Sequence, residues 1–229
     1  MAETSNAKIQ VSVLTGFLGS GKTTCLNHLL QELASEAVPA VILHRFAYEF
    51  ELDTIVVHKT RLAFFSEVFD FGTGCLCCSP RGDFTRALWS LIDADESRVS
   101  RGEAAVTHLF VETTGLAEPE VFARVFFQDA QIAARFQLQH VLAVVDPEAV
   151  LPHLLEEPPP GLSNKAVTQV SLADIFVLNT QNSSESSNLQ DNTKVVKGKL
   201  LELAPAAIIS PAIASTTPVM LMPSVAGVP

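Results

Sequence analysis

Positive charge is scarce in this chain: 15 Lys and Arg stand against 25 Asp and Glu in 229 residues, a formal net charge of −10 and a pI near 5.0. Such a surface repels polyanions, which argues against nucleic acid or an anionic membrane as partner and leaves only a local site for a small phosphate. Cysteine is also scarce, four residues in all, and three of them crowd into Cys75 to Cys78. That crowding speaks for reduced, ligand-like thiols over a disulfide framework. The opening segment, Met1 to Lys8, has no basic stretch leading into an apolar core and a small-residue cleavage site, so a cytoplasmic location is expected. The longest uncharged segment, Leu203 to Pro229, is broken by Pro205, Pro211, Pro218 and Pro223, too closely spaced for a membrane-spanning helix. With 48% hydrophobic residues, the chain can bury one α/β domain and is short for two. The expected division is a single domain over residues 1–209 and an irregular, proline-rich tail over 210–229.

What the chain does have is a glycine loop, Gly16-Phe-Leu-Gly-Ser-Gly-Lys-Thr-Thr24. It satisfies G-x-x-x-x-G-K-[ST] through Gly16, Gly21, Lys22 and Thr23, with a further glycine at Gly19. Glycines let successive backbone N–H groups turn in around a phosphate, lysine supplies a mobile positive charge and the threonine hydroxyl suits Mg²⁺. Ile9, Val11, Val13 and Leu14 upstream read as a buried strand. Leu26, Leu29, Leu30 and Leu33 downstream keep the spacing of an amphipathic helix. Strand, glycine loop and helix together make a nucleoside-triphosphate site, because the helix N-terminus aims its open amides at the phosphates. The expected nucleotide contacts are Gly16, Gly19, Ser20, Gly21, Lys22, Thr23 and Thr24.

Further along, strands are expected over 40–43, 106–111, 138–145, 175–178 and 206–209, and helices over 81–93 and 195–203. The segment 51–71 shows no clean period, and 180–192 is polar enough to read as a loop. Strands alternating with helices predict a doubly wound α/β fold, a mostly parallel sheet covered on both faces. The strand over 106–111 runs into Glu112-Thr-Thr-Gly115, placing an acid at a strand's carboxyl end, where ligands bind in such sheets. Glu112 can hold Mg²⁺ directly or through water, and Gly115 can present its amide to a terminal phosphate. The alternative for Glu112 is a cap on the helix starting near Pro119. Asp146 has a similar position, with a helix cap an equal reading.

Cys75, Cys77 and Cys78 can converge on one borderline or soft ion, Zn²⁺ being favoured by thiolate chemistry. Three ligands leave a coordination position open, which suits transfer more than scaffolding. Packing as small hydrophobes is the competing role, and Cys25, on the first helix, is expected in the core. His108 is expected to pack within its strand, while His44 and His58 stand as possible additions to a metal shell.

Taken together, Gly16–Thr24, Gly74-Cys-Leu-Cys-Cys78 and Glu112-Thr-Thr-Gly-Leu-Ala-Glu-Pro119, in this order and separation, closely resemble the CobW-type P-loop GTPases, proposed metal chaperones or metalloprotein activators. The resemblance runs from about Ile9 to Ile209, and its cysteine motif is the specific part. It implies GTP as nucleotide and hydrolysis at the γ-phosphate. It also implies phosphate and Mg²⁺ roles for Lys22 and Thr23, a second acidic role for Glu112, a metal site at Cys75, Cys77 and Cys78, and a client metalloprotein. Three departures stand out. The family usually has Asn-Glu-Phe-Gly where this chain has His44-Arg-Phe-Ala47. The base-reading Asn-Lys-x-Asp becomes Asn179-Thr-Gln-Asn182, and members usually continue into a smaller C-terminal domain. A nucleotide- or metal-binding regulator without turnover is therefore the second reading. A phosphotransferase, the third, gives no reason for clustered cysteines.

Overall fold

The structure, a computed structural model, describes residues 7–33, 37–45, 66–70, 80–115, 117–180 and 189–210. Among the described residues seven strands form one sheet: β1 (Ile9–Thr15), β2 (Pro39–Arg45), β3 (Ser66–Asp70), β4 (His108–Glu112), β5 (Phe136–Val145), β6 (Ile175–Leu178) and β7 (Ile208–Ser210). Their order is β3-β2-β4-β1-β5-β6-β7, and every described pairing is parallel. The helices are α1 (Lys22–Glu32), α2 (Pro80–Ser100), α3 (Pro119–Gln128), α4 (Ala130–Arg135), α5 (Pro147–Leu155), α6 (Lys165–Ser171) and α7 (Leu189–Leu203).

Side chains of a strand alternate between the two faces of its sheet, and the core divides accordingly. On one face Val11, Val13, Ile42, Leu109, Val111 and Val141 pack with Phe84, Leu88 and Leu91 of α2 and with Phe122 and Phe126 of α3. Phe84 meets Phe122 and Phe126 edge-on, with ring centroids 5.1 and 5.8 Å apart, a favoured geometry for aromatic quadrupoles. The same face continues through Val145, Phe176 and Leu178 to α5, α6 and α7. The opposite face, carrying Leu14, Val41, Leu43, Phe110, Leu142 and Val177, is covered by Cys25, Leu26 and Leu29 of α1. Among the described helices α1 alone lies there. Right-handed crossovers require this split, since β1 to β2 moves one way along the sheet and β4 to β5 the other.

The winding reverses around β1, which lies between β4 and β5. In open parallel sheets ligands bind at the carboxyl ends of the strands at such a reversal, where the glycine loop leaves β1. The doubly wound architecture is as expected. Elements differ in detail: β3 falls inside the aperiodic 51–71, and α6 follows the three prolines of 158–160. α7 starts at Leu189, inside the polar run expected as a loop, because Asp191 in its first turn favours the helix dipole. The helix over 81–93 extends to Ser100.

Candidate functional site

The loop between β1 and α1 is shaped by three glycines with positive φ: Gly16 at 138°, Gly19 at 75° and Gly21 at 93°. Gly21 is the N-cap of α1, so the open amides of the first turn follow it directly. Gly16 has a second constraint, since a Cβ there would lie 2.2 Å from the carbonyl oxygen of Val144 on β5. Lys22 is buried, and its Nζ donates to the carbonyl oxygens of Gly16 and Phe17, each at 3.1 Å. The loop thus curls around its own ammonium group, a charge that a phosphate can claim in place of two neutral carbonyls. Ser20 is buried and Thr24 is exposed.

Parallel pairing sets Leu14 beside Glu112, so the β4 acid arrives next to the start of α1. The Thr23 hydroxyl donates to Glu112 Oε1 at 2.6 Å, and both residues are buried. Thr113 fixes this junction, its N–H and its hydroxyl both donating to Leu14 O, at 2.9 and 3.0 Å. The capping alternative for Glu112 is not what the fold uses, because Glu118 is the N-cap of α3. Asp146 is a cap: its Oδ1 accepts from the N–H groups of Glu148 and Ala149 and starts α5. Hydroxyl and carboxylate oxygens in contact are the hard donors that Mg²⁺ selects, so Thr23 and Glu112 fit that ion.

Gly115 lies against the loop from the other side, where a Cβ would come within 2.5 Å of Leu18 N. Its carbonyl accepts from Gln169 Nε2 of α6, which also donates to Ala117 O at 3.4 Å. At the end of β6, the Asn179 side-chain amide donates to Ser20 O at 2.9 Å, tying that strand end to the glycine loop. Phe17 stacks on the His153 ring of α5, with centroids 4.3 Å apart. The Gln169 and His153 contacts lie outside the sequence motifs. The one signal of the first is a glutamine at a buried helix position, flanked by the buried Ala166 and Val170.

Cys75, Cys77 and Cys78 lie outside the described residues, as does His58. Among the described residues no group of three or more His, Cys, Asp or Glu side chains is placed to hold a metal. Cys25 is in the core, where burial and then the Glu112 charge push its thiol up to about 12. His44 is buried with its ring centroid 5.0 Å from that of Phe122, and burial pushes its pKa down to about 4. That is the setting of a packed core residue, and the cysteines whose metal shell it could add to lie outside the described residues. The His108 ring is partly buried, with Nδ1 2.8 Å from the Thr107 hydroxyl. No described helix is long and apolar enough to cross a membrane.

Residues 10–209 match the family described as CobW/HypB/UreG, nucleotide-binding domain. The chain belongs to this family. It is 32% identical over 144 residues to "Zinc-regulated GTPase metalloprotein activator 1" of Saccharomyces cerevisiae, a match covering 63% of this chain and 32% of that protein. It is 33% identical over 138 residues to "Zinc chaperone YjiA" of Escherichia coli, covering 60% of this chain and 40% of that one. The chain thus spans well under half the length of either relative. Its fold matches the crystal structure of Zn(II)-bound YjiA GTPase from E. coli with a TM-score of 0.61 at 22% identity, over 95% of this chain and 61% of that one. At that identity the match speaks to the fold, a P-loop α/β domain with the glycine loop after its first strand.

Proposed function

We propose that this member of the CobW/HypB/UreG nucleotide-binding family binds and hydrolyses GTP and couples nucleotide state to the transfer of zinc, or a related metal, to a client metalloprotein. The observation that carries the nucleotide half is the buried contact between Thr23 and Glu112 beside the Lys22 loop. It joins a phosphate cradle to a hard-oxygen cation site at the reversal of a parallel sheet. Bound there, Mg²⁺ would neutralise charge on the phosphates. Lys22 would leave the carbonyls of Gly16 and Phe17 for the phosphate oxygens, and the amides from Gly19 to Thr24 would receive the charge that develops as water attacks the γ-phosphate. Gly115 and Asn179 are the contacts proposed for the terminal phosphate and the base side. The metal half draws on the names of the relatives and on Cys75, Cys77 and Cys78, proposed to hold the cargo zinc as thiolates.

One purified sample tests both halves. The chain should bind a slowly hydrolysed GTP analogue and about one zinc per chain. Lys22→Ala should weaken nucleotide binding by about a hundredfold or more, losing a charge-assisted contact to phosphate, with the far-ultraviolet spectrum unchanged. Cys77→Ser with Cys78→Ser should weaken zinc binding, read by competition with a chelating dye, far more than Cys25→Ser. Unchanged GTP affinity in the lysine variant would remove the phosphate assignment. Unchanged zinc affinity in the double variant would return the cysteines to a packing role.

A further inference from the structure

The residues after β4 are held from two directions. On one side the Gly115 backbone rests on the phosphate loop so closely that a methyl group would come within 2.5 Å of Leu18 N and 2.7 Å of Leu18 Cα. On the other, Gln169 of α6 donates to the carbonyls of Gly115 and Ala117. Lys165 and Gln169 are four apart, hence on one face of α6, and Lys165 pairs with Glu118 in the same segment. The Gln169 side chain is assigned by its surroundings, since only its NH₂ group can satisfy two carbonyl oxygens. Its own Oε1 is buried with no hydrogen-bond partner among the described residues. A buried polar oxygen without a partner costs stability, a cost set against the two carbonyl oxygens that the same side chain's NH₂ group satisfies.

α6 is itself anchored towards the phosphate loop. Its N-cap, Asn164, accepts from Val167 N at 3.1 Å and donates to the carbonyls of His153 and Glu156, at 2.7 and 2.8 Å. His153 in turn stacks on Phe17. One chain of contacts therefore runs from the phosphate loop through α5 and α6 and back to Gly115.

We propose that Gln169 is a positioning residue for the terminal phosphate: its paired donation to Gly115 and Ala117 holds the Gly115 backbone against the phosphate loop, where its N–H meets a triphosphate and has nothing to meet in a diphosphate. This rests on the nucleotide site proposed above. A pre-placed donor spares the ordering cost at binding, and that saving applies only to the ligand that reaches the donor. Gln169 thus governs discrimination between GTP and GDP and leaves affinity for the shared part of the nucleotide alone.

The test uses Gln169→Met, of similar length without donors, and Gln169→Asn, which keeps both donors one methylene short. In titrations with Mg²⁺, either variant should bind a non-hydrolysable GTP analogue about tenfold more weakly and GDP within twofold of the unmodified chain. Without nucleotide, the Ala117 amide, which bonds to Thr114 O at 3.0 Å, should exchange with deuterium at least tenfold faster, while α1 amides stay as they were. If Met at this position prevents folding, the Asn variant carries the test. An unmoved GTP to GDP ratio in chains that bind both overturns the inference, as does equal weakening of the two, which would make Gln169 a support for the whole site. Failure of the unmodified chain to bind either nucleotide overturns the parent reading, and the phosphate role with it. Exchange at Ala117 then reports separately whether the clamp exists.

Discussion

His44 stands at the carboxyl end of β2, nearly sealed from solvent and packed on Phe122. Burial favours the neutral ring, so its pKa falls from 6.5 to about 4. In the unfolded chain the imidazole takes up a proton near pH 6.5; in the folded protein it resists until about pH 4. Stability is therefore complete above pH 6.5 and declines between 6.5 and 4, with an upper limit of ~3 kcal/mol from this residue. His108 and His140 are shifted the same way, each mainly by burial, so the contribution of His44 must be read as a difference. His44→Leu should flatten the fall in urea-unfolding free energy between pH 7 and pH 4.5 by about 2 kcal/mol relative to the unmodified chain. An identical slope in both proteins would show that the ring gains solvent or a partner on protonation. At this scale the sequence shows residue types but not their surroundings. Lys22 and Thr23 stand out because a spacing rule names them, whereas Gln169 belongs to no motif and gains its partners only when α6 packs beside the β4 loop.

Among the elements, the sequence at and just after the end of β6 has the clearest consequence for specificity. Asn179 keeps its place at the strand end, its N–H bonded to Val145 O at 2.8 Å and its side chain donating to Ser20 O. The positions after it differ from the base-reading pattern, with Thr180 for lysine and Asn182 for aspartate. A neutral amide lacks the carboxylate that accepts from guanine N1–H and the exocyclic amine, and charge-assisted bonds are roughly twice as strong as neutral ones. Threonine also lacks an aliphatic stem to lay along the base. GTP and ATP should accordingly differ by less than about tenfold in affinity, or ~1.4 kcal/mol. Asn182→Asp combined with Thr180→Lys should restore a preference for GTP. Paired titrations decide the matter, and a strong GTP preference in the unmodified chain would mean that other residues read the base. Element legibility followed periodicity. β1, β5 and α1 carry regular apolar patterns and lie where expected, but β3 sits in a mixed stretch whose strand character comes from pairing with β2. The seven-residue α6 is too short to show a period, and Asn164 capping it is the local signal that could have marked it.

For the whole molecule, alternation of strands and helices was enough to expect a parallel sheet covered on both faces, because parallel strands need crossovers and crossovers carry helices. Strand order was not legible, since neighbours are chosen by packing across the sheet, and nothing in Ile9–Thr15 announces that it pairs with residues about a hundred positions away. The division into a domain over 1–209 and a tail over 210–229 remains a proposal, since residues 211–229 lie outside the described residues while Ser210 belongs to β7. The central place of β1 also bears on synthesis. Its described neighbours are β4 and β5, and the Gly16 backbone closes against Val144 O. A ribosome adding roughly 5–20 residues per second completes the glycine loop early and delivers β5 on the order of ten seconds later. Until β4 is made the apolar β1 has neither native neighbour, and until β5 is made it lacks the second, the kind of segment that invites wrong pairing. Translation that stops before Phe136 yields a polypeptide carrying every residue of the glycine motif but not the β5 carbonyl against which Gly16 closes.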